Sequence, residues 1–298
     1  TTCKGSFDDL SKGYVSKFSH DEETVKPGYY SVLLQKYNIK AELTTTNRVG
    51  YHRYTFPKSN QSNIIIDLGE GIEWDEPTET GLKQIDKRTL EGYRYSRGWA
   101  KNQKIYFRAV FSKDMDMRIL TENFYRSRSK DSLQVHKAVL SFSTKANEAV
   151  EVKVGISYVS CANAAENLSS ELPGWNFNQT VKAARKLWNR ELAKIEIKTP
   201  DPKVRTMFYT SLFRTMISPS EFRDVNGDYR GADGKVYNTK NFVPHTIFSL
   251  WDTYRTFHPL QTILNTKRSA DWVNSLLDIT EKQGSLPIWH LVGIETGT

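Results

Sequence analysis

Val150-Glu-Val-Lys-Val-Gly-Ile-Ser-Tyr158 alternates apolar and polar side chains, the period-two pattern of a strand with one buried face. A little further on the period changes. From Asn176 to about Ala193, Phe177, Val181, Ala184, Trp188 and Leu192 recur at three- and four-residue steps, the stripe of an amphipathic helix approached through Pro173-Gly174. Everything before this switch reads as strand. Tyr29–Tyr37, Lys40–Thr46, Tyr51–Phe56, Ile64–Leu68, Ile105–Phe111 and Ala138–Phe142 are short and rich in β-branched and aromatic residues. Turn residues such as Pro27-Gly28, Pro57, Gly69 and Gly98 separate them. Many short strands with this punctuation predict a β-sandwich.

Everything after the switch reads as helix. Asp201 is placed to cap a helix that has Pro202 at its first position and runs to about Ile217, with Val204, Phe208, Leu212 and Thr215/Met216 as its apolar face. A second helix is expected to start near Trp251 and to be interrupted or kinked at Pro259. A third is expected from Ser269 to about Gln283, with Gly284 as a left-handed stop and Val273, Leu276, Leu277 and Thr280 facing inward. Asn226-Gly227 favours a type I′ hairpin. The expected organisation is therefore a sandwich over 1–165, a helical linker over 166–198 and the beginning of a helical domain over 199–298.

Bulk composition narrows the function classes. The chain has 298 residues, a formal net charge of +8, 38% hydrophobic and 26% charged residues, which is ordinary for a globular protein. Basic residues are dispersed apart from Arg126-Ser-Arg-Ser-Lys130, so a nucleic-acid face is not expected. No apolar run is long enough for a membrane helix. The first residue is Thr1 rather than Met, and no signal peptide is recognisable, which leaves export open. Cys3 and Cys161 form no metal spacing; they are either a pair or free thiols. Asn60, Asn167 and Asn178 fit the glycosylation pattern, which is common by chance. No nucleophile–base arrangement, phosphate loop or dinucleotide fingerprint is present.

Phe248-Ser-Leu-Trp-Asp-Thr-Tyr-Arg255, Gly284-Ser-Leu-Pro-Ile-Trp289 and Gly293-Ile-Glu-Thr296 gather tryptophans, carboxylates and an arginine at loop or helix-start positions. Such groups suit sugars, because aromatic faces stack on C–H-rich rings while carboxylates and guanidinium bind vicinal hydroxyls. These stretches resemble the calcium-dependent exo-α-mannosidases of glycoside hydrolase family 92. So do Ser19-His-Asp-Glu22 with Pro27-Gly-Tyr-Tyr30, Ala41-Glu-Leu-Thr44, Gly92-Tyr-Arg94 with Gly98-Trp-Ala100, Tyr106-Phe107, and Phe222-Arg-Asp-Val-Asn-Gly-Asp-Tyr-Arg-Gly231, in order along nearly the whole chain. The resemblance implies a β-sandwich followed by an (α/α)6 barrel. Twelve helices of about 11 residues with their loops need roughly 200 residues; residues 199–298 supply about half of that, so the barrel is expected to be incomplete in this chain, with uncovered apolar helix faces.

The candidate substrate-binding residues are Trp251, Asp252, Arg255, Trp289, Glu295 and Trp99. Each has a plainer reading. Asp252 suits a helix N-terminus as well as a sugar hydroxyl. Arg255, three residues on, either fixes Asp252 or touches sugar. Trp251 and Trp99 suit a core as well as a platform, and Glu295, between Gly293 and Gly297, suits an exposed loop. Asp224-Val-Asn226-Gly-Asp228 has oxygen ligands at alternate positions, but Tyr229 stands where a calcium loop needs glycine, so it is read as a hairpin. His245 and His258 lack metal pairing, and His20 resembles a family position. The family's acid and base segments are not among these residues, so no catalytic residue and no metal ligand is assigned. The resemblance implies an inverting exo-α-mannosidase acting on α-mannoside glycans, with α-1,2 linkage expected, calcium as cofactor, the remainder of the catalytic domain as partner, and a bacterial periplasmic, cell-surface or secreted location. The alternatives are a non-catalytic carbohydrate-binding module and another (α/α)6 enzyme such as a disaccharide phosphorylase.

Overall fold

The computed structural model describes residues 2–4, 15–71, 75–125 and 132–296. The chain divides into two compact units, Thr1–Gly98 with Lys104–Arg185, and Trp99–Gln103 with Lys186–Thr298. The basic cluster at 126–130, the side chain of Cys3, and Gly297 lie outside the described residues.

The first unit is built from β1 (Thr2–Lys4), β2 (Glu23–Lys26), β3 (Tyr29–Leu34), β4 (Ile39–Thr45), β5 (Val49–Phe56), β6 (Ser59–Asp67), β7 (Glu76–Gln84), β8 (Thr89–Arg97), β9 (Gln103–Phe111), β10 (Asp116–Tyr125), β11 (Ser132–Thr144) and β12 (Glu148–Ser157). One sheet has the order β1-β6-β11-β10, and an eight-stranded sheet has the order β2-β3-β4-β5-β12-β9-β8-β7. Their inner faces share one core. Ile39, Phe56, Leu90, Phe111, Val150 and Val152 come from the larger sheet, and Ile64, Ala138, Leu140 and Phe142 from the smaller. This is the expected sandwich. The strands that sequence alone misses include the edges β2, β7 and β10. β7 reads Glu-Pro-Thr-Glu-Thr-Gly-Leu-Lys-Gln, with the polar and breaker residues that edges tolerate because one side of the backbone needs no ladder partner.

A helix that sequence reading does not anticipate, α1 (Cys161–Glu171), packs on the outer face of β12. Gly155 permits this contact: a Cβ there would stand 2.3 Å from the Ala164 carbonyl oxygen. Asn167 is fully buried and its Nδ2 donates to the Ile156 carbonyl at 2.8 Å, so its glycosylation pattern is not usable in the folded chain. Lys153, also on the outer face, donates to the Leu172 carbonyl at 2.8 Å just past α1 and lies 4.3 Å from the centre of the Trp175 ring. Cys161 is a free thiol whose Sγ contacts the Gly92 carbonyl oxygen. Burial pushes that thiol up from its ordinary value.

α2 (Phe177–Leu192) starts in the first unit and ends in the second, the division falling between Arg185 and Lys186. In the second unit, α3 (Pro202–Arg214) begins as expected, with Asp201 accepting from the Lys203 N–H at 2.8 Å. Its buried contact is Leu212 alone; Val204 is exposed and Phe208 half-buried. Then come β13 (Ser220–Glu221), β14 (Asp228–Arg230), β15 (Val236–Asn238), β16 (His245–Thr246) and β17 (Phe248–Ser249). The hairpin of β14 and β15 turns at 231–235 rather than at Asn226-Gly227. Gly227 has φ +97° while Asn226 is not left-handed, so the two-residue type I′ geometry is absent there. α4 (Leu250–Thr253) stops before Pro259, which sits instead in the first turn of α5 (Phe257–Leu264), where a missing N–H is harmless.

α6 runs Thr266–Gln283, beginning earlier than Ser269, and Gly284 ends it at φ +84°. Its buried residues are Trp272, Ser275 and Ile279, with Leu276 partly buried against the same cluster, whereas Val273 and Leu277 are more than half exposed. The expected inward face is thus rotated by one residue. The large Trp272 ring, packed with Phe248 and Ile279, sets the orientation that aliphatic spacing alone did not. β18 (Trp289–Leu291) and β19 (Ile294–Glu295) close the chain by pairing with β17 and with each other.

Candidate functional site

The site is assembled around a three-stranded ribbon in the second unit, with order β17-β18-β19. Phe248 anchors it, being 1% exposed and packed on Trp272 and Ile279. Its neighbour Ser249 pairs in register with Trp289. Trp289 is fixed at both backbone polar groups. Its N–H donates to Glu295 Oε1 at 2.9 Å, and its carbonyl accepts from the Thr296 N–H and Oγ1, each at 3.0 Å. The indole of Trp289 then stacks on that of Trp99, with centroids 5.9 Å apart and planes 11° from parallel. This is an offset stack of the favoured kind. Trp99 stays 52% exposed, so the pair offers an aromatic face to solvent.

Glu295 also accepts from the Ile288 N–H at 3.0 Å through Oε2. Both of its oxygens are therefore committed to backbone donors in the turn before Trp289. The carboxylate thereby closes the ribbon and holds the backbone at Trp289.

Asp252 lies in the first turn of α4, exposed, with Oδ2 accepting a hydrogen bond from Ser249 Oγ. The bond joins the third helical residue to the cap residue through their side chains, and neither side chain caps a backbone N–H of α4. Among the described residues Oδ1 takes no hydrogen bond, so one carboxylate oxygen remains presented beside the residue paired with Trp289. Arg255 does not fix Asp252: its Nε donates to Tyr254 Oη at 2.6 Å, and its guanidinium lies 5.4 Å from the centre of that ring. Trp251 is 53% exposed, with no ring partner among the described residues. The structure therefore joins Trp99, Trp289 and Glu295 directly, and Asp252 through Ser249, while Trp251 and Arg255 are exposed on the adjoining short helix and its end. Ser249 is the member that sequence reading omitted; the spacing Ser-x-x-Asp was the available signal.

His245 and His258 serve packing. His245 is 5% exposed and its Nδ1–H donates to the Val243 carbonyl at 2.7 Å. Burial lowers its pKa, against the backbone bond that raises it. His258 stands edge-on to Trp272 at 5.7 Å, and burial lowers it too. His20 is exposed, with Nδ1 2.7 Å from Glu23. Among the described residues no group of three or more His, Cys, Asp or Glu side chains is placed to hold a metal. Asp228 is committed within its hairpin, both oxygens accepting from amide Nδ2 atoms of Asn226 and Asn238. These residues do not by themselves make a calcium site. No helix among them is long and apolar enough to cross a membrane.

With this geometry on the page, comparison with known proteins shows the family. The family model for the N-terminal domain of glycosyl hydrolase family 92 matches residues 1–157, and that for the family's catalytic domain matches 163–298. The chain belongs to glycosyl hydrolase family 92. The solved family GH92 alpha-mannosidase BT3965 from Bacteroides thetaiotaomicron is 36% identical with a TM-score of 0.89, over 98% of this chain and 41% of that one. A second structure of it, in complex with mannoimidazole, gives 37% identity and a TM-score of 0.89, over 99% of this chain and 40% of that one. The inverting mannosidase BT2199 of the same species is 25% identical with a TM-score of 0.81, over 97% and 39%. A curated relative, an uncharacterized secreted glycosidase of Arthroderma benhamiae, is 26% identical over 85% of this chain and 34% of its own length. The chain thus spans about two fifths of the solved relatives it matches.

Proposed function

We propose that this chain supplies the sandwich and part of the sugar pocket of an inverting exo-α-mannosidase that removes mannose from α-linked, expectedly α-1,2-linked, glycans. The observation that carries the reading is the Trp99–Trp289 stack beside the Ser249–Asp252 pair. The aromatic face takes the C–H side of a pyranose ring, the open Asp252 oxygen accepts from a sugar hydroxyl, and Trp251 and Arg255 line the approach. Glu295 acts through Trp289. An inverting reaction needs a protonated acid on the leaving oxygen and a carboxylate that activates water, roughly 6.5–9.5 Å apart. The sequence reading assigns neither role to a residue of this chain, and the greater length of the solved relatives supports placing both beyond Thr298, together with the ligands of a calcium ion. The uncovered apolar positions Val204, Met207, Ile263, Val273 and Leu277 are read as the surface that the remainder of the catalytic domain covers. The sequence boundaries 1–165, 166–198 and 199–298 are kept as the domain assignment, and export to the periplasm, cell surface or medium is proposed on the secreted relative. A non-catalytic binding module is the second reading, favoured by a tryptophan pair already complete in this chain.

The test is an intact mass on source material with release of mannose from p-nitrophenyl α-mannoside, with and without EDTA. A larger or two-chain species with EDTA-sensitive release supports the enzyme reading. A lone 34.3 kDa species that binds mannosides without turnover supports the binding module instead.

A further inference from the structure

Beneath the site, the hydrogen bonds around His290 leave one donor over. His290 is 2% exposed and neighbours Trp289 on β18. Its Nδ1 lies 3.3 Å from Thr246 Oγ1, which accepts from the Val292 N–H at 2.7 Å. Thr246 is 1% exposed, so its hydroxyl proton needs a protein acceptor, and His290 Nδ1 is the one within reach among the described residues. Nδ1 therefore accepts, and in the neutral ring the proton resides on Nε2. Nε2 is buried without a hydrogen-bond partner. A buried N–H left unpaired is costly, and proteins generally satisfy such a group.

The same side chain lines a small cavity that it shares with Tyr229, Ser275 and Asp278. Its volume of about 10 Å³ is close to what a single water needs. Asp278 offers an acceptor there: its Oδ1 accepts from Tyr229 Oη at 2.8 Å and from Lys282 Nζ, while Oδ2 of this part-buried side chain takes no bond among the described residues. We propose that this cavity is a binding site for one structural water, which accepts from His290 Nε2–H and donates to the Asp278 carboxylate. The water joins the buried Val292–Thr246–His290 chain of hydrogen bonds to the part-buried Asp278–Tyr229 pair. It ties β18, the strand that carries Trp289, to α6, and so serves as support for the aromatic face rather than as a reactant. Fully satisfied buried networks of this kind rigidify what they connect.

The test uses the chain labelled with 15N-histidine. Long-range 1H–15N correlation at pH 7 is expected to show His290 as the Nε2–H tautomer, with a cross-peak between that proton and a long-lived water. An Nδ1–H tautomer, or a slowly exchanging Nε2–H without a water cross-peak, overturns the proposal. Asp278→Asn keeps the shape but weakens the acceptor. The water cross-peak is expected to be lost while the tautomer stays; an unchanged cross-peak removes Asp278 from the network. The wild-type measurement stands even where the variant fails to fold.

Discussion

Replacing Glu295 by alanine removes two acceptors at once, those of the Ile288 and Trp289 N–H groups. A hydrogen bond to a charged group contributes about 1.5–3 kcal/mol when well buried. One of these bonds is exposed and the other part-buried, so the lower end applies, giving roughly 2–3 kcal/mol for the pair. The stack that depends on them adds about 0.5–1.5 kcal/mol if Trp289 loses its position. Glu295→Gln keeps one acceptor oxygen but turns an amide donor toward a backbone donor, so about half of the loss is expected. Urea unfolding is the assay: with a slope of about 1–3 kcal/mol per molar, the alanine variant moves the midpoint of the affected transition by about 1 M. Near-ultraviolet circular dichroism reports the tryptophan pair in the same samples. A variant with an unchanged midpoint and tryptophan signal but weakened mannoside binding would refute the positioning role and return Glu295 to direct contact with sugar.

Three further outcomes are expected. Burial pushes His290 down to about 4, against the nearby Glu295 carboxylate that raises it, and pushes His52 down to about 4 as well. The unfolded chain takes up these protons first, near pH 6.5. Stability is therefore full above pH 6.5 and falls as pH drops toward 4, by about 1.4 kcal/mol per pH unit for each histidine and about 3 kcal/mol each over the whole window. Urea midpoints between pH 7 and 4.5 test this, and a midpoint independent of pH contradicts it. Gly155→Ala forces a Cβ against the Ala164 carbonyl oxygen; with backbone on both sides, a loss of roughly 1–3 kcal/mol in the first unit is expected, visible as an earlier unfolding transition. Trp99→Ala leaves the Glu295 clamp in place, so it should abolish the paired-tryptophan signal and weaken mannoside binding about tenfold in calorimetry with little change in unfolding midpoint.

The sandwich was legible because its central strands bury one or both faces and must alternate or run apolar. Val150–Tyr158 and Ile64–Leu68 show this directly. Its edges were not legible, since β7 satisfies backbone on one side only and carries Pro77, Gly81 and four charged or amide residues without penalty. α1 was hidden for another reason. Its three alanines, Leu168 and two glutamates favour helix, but Asn163 and Asn167 stand on its buried face beside Ala164 and Leu168, so no apolar stripe marks it in the sequence; it packs on Gly155, with the Asn167 bond to Ile156. In the site, residue types were readable and roles were not. A glutamate two residues after a glycine looks the same in sequence whether its oxygens meet solvent, sugar or the N–H groups of Ile288 and Trp289.

That distinction bears on how the ribbon holds an aromatic face with so few residues. β17 and β19 are two residues long and β18 is three, too short to be stable as a free ribbon. Four anchors replace length. Phe248 plugs the Trp272–Ile279 cluster, Glu295 gathers two N–H groups, Thr296 returns two donors to the Trp289 carbonyl, and Thr246 joins the Val292 turn to His290. Each anchor acts at the backbone or the core, leaving the indole of Trp289 to its stack with Trp99 and one oxygen of Asp252 without a hydrogen bond among the described residues. A sugar meeting such a site orders few side chains on arrival, and so loses little affinity to conformational entropy. Substitutions at the anchors should accordingly weaken binding by loosening Trp289, with no contact to the sugar lost.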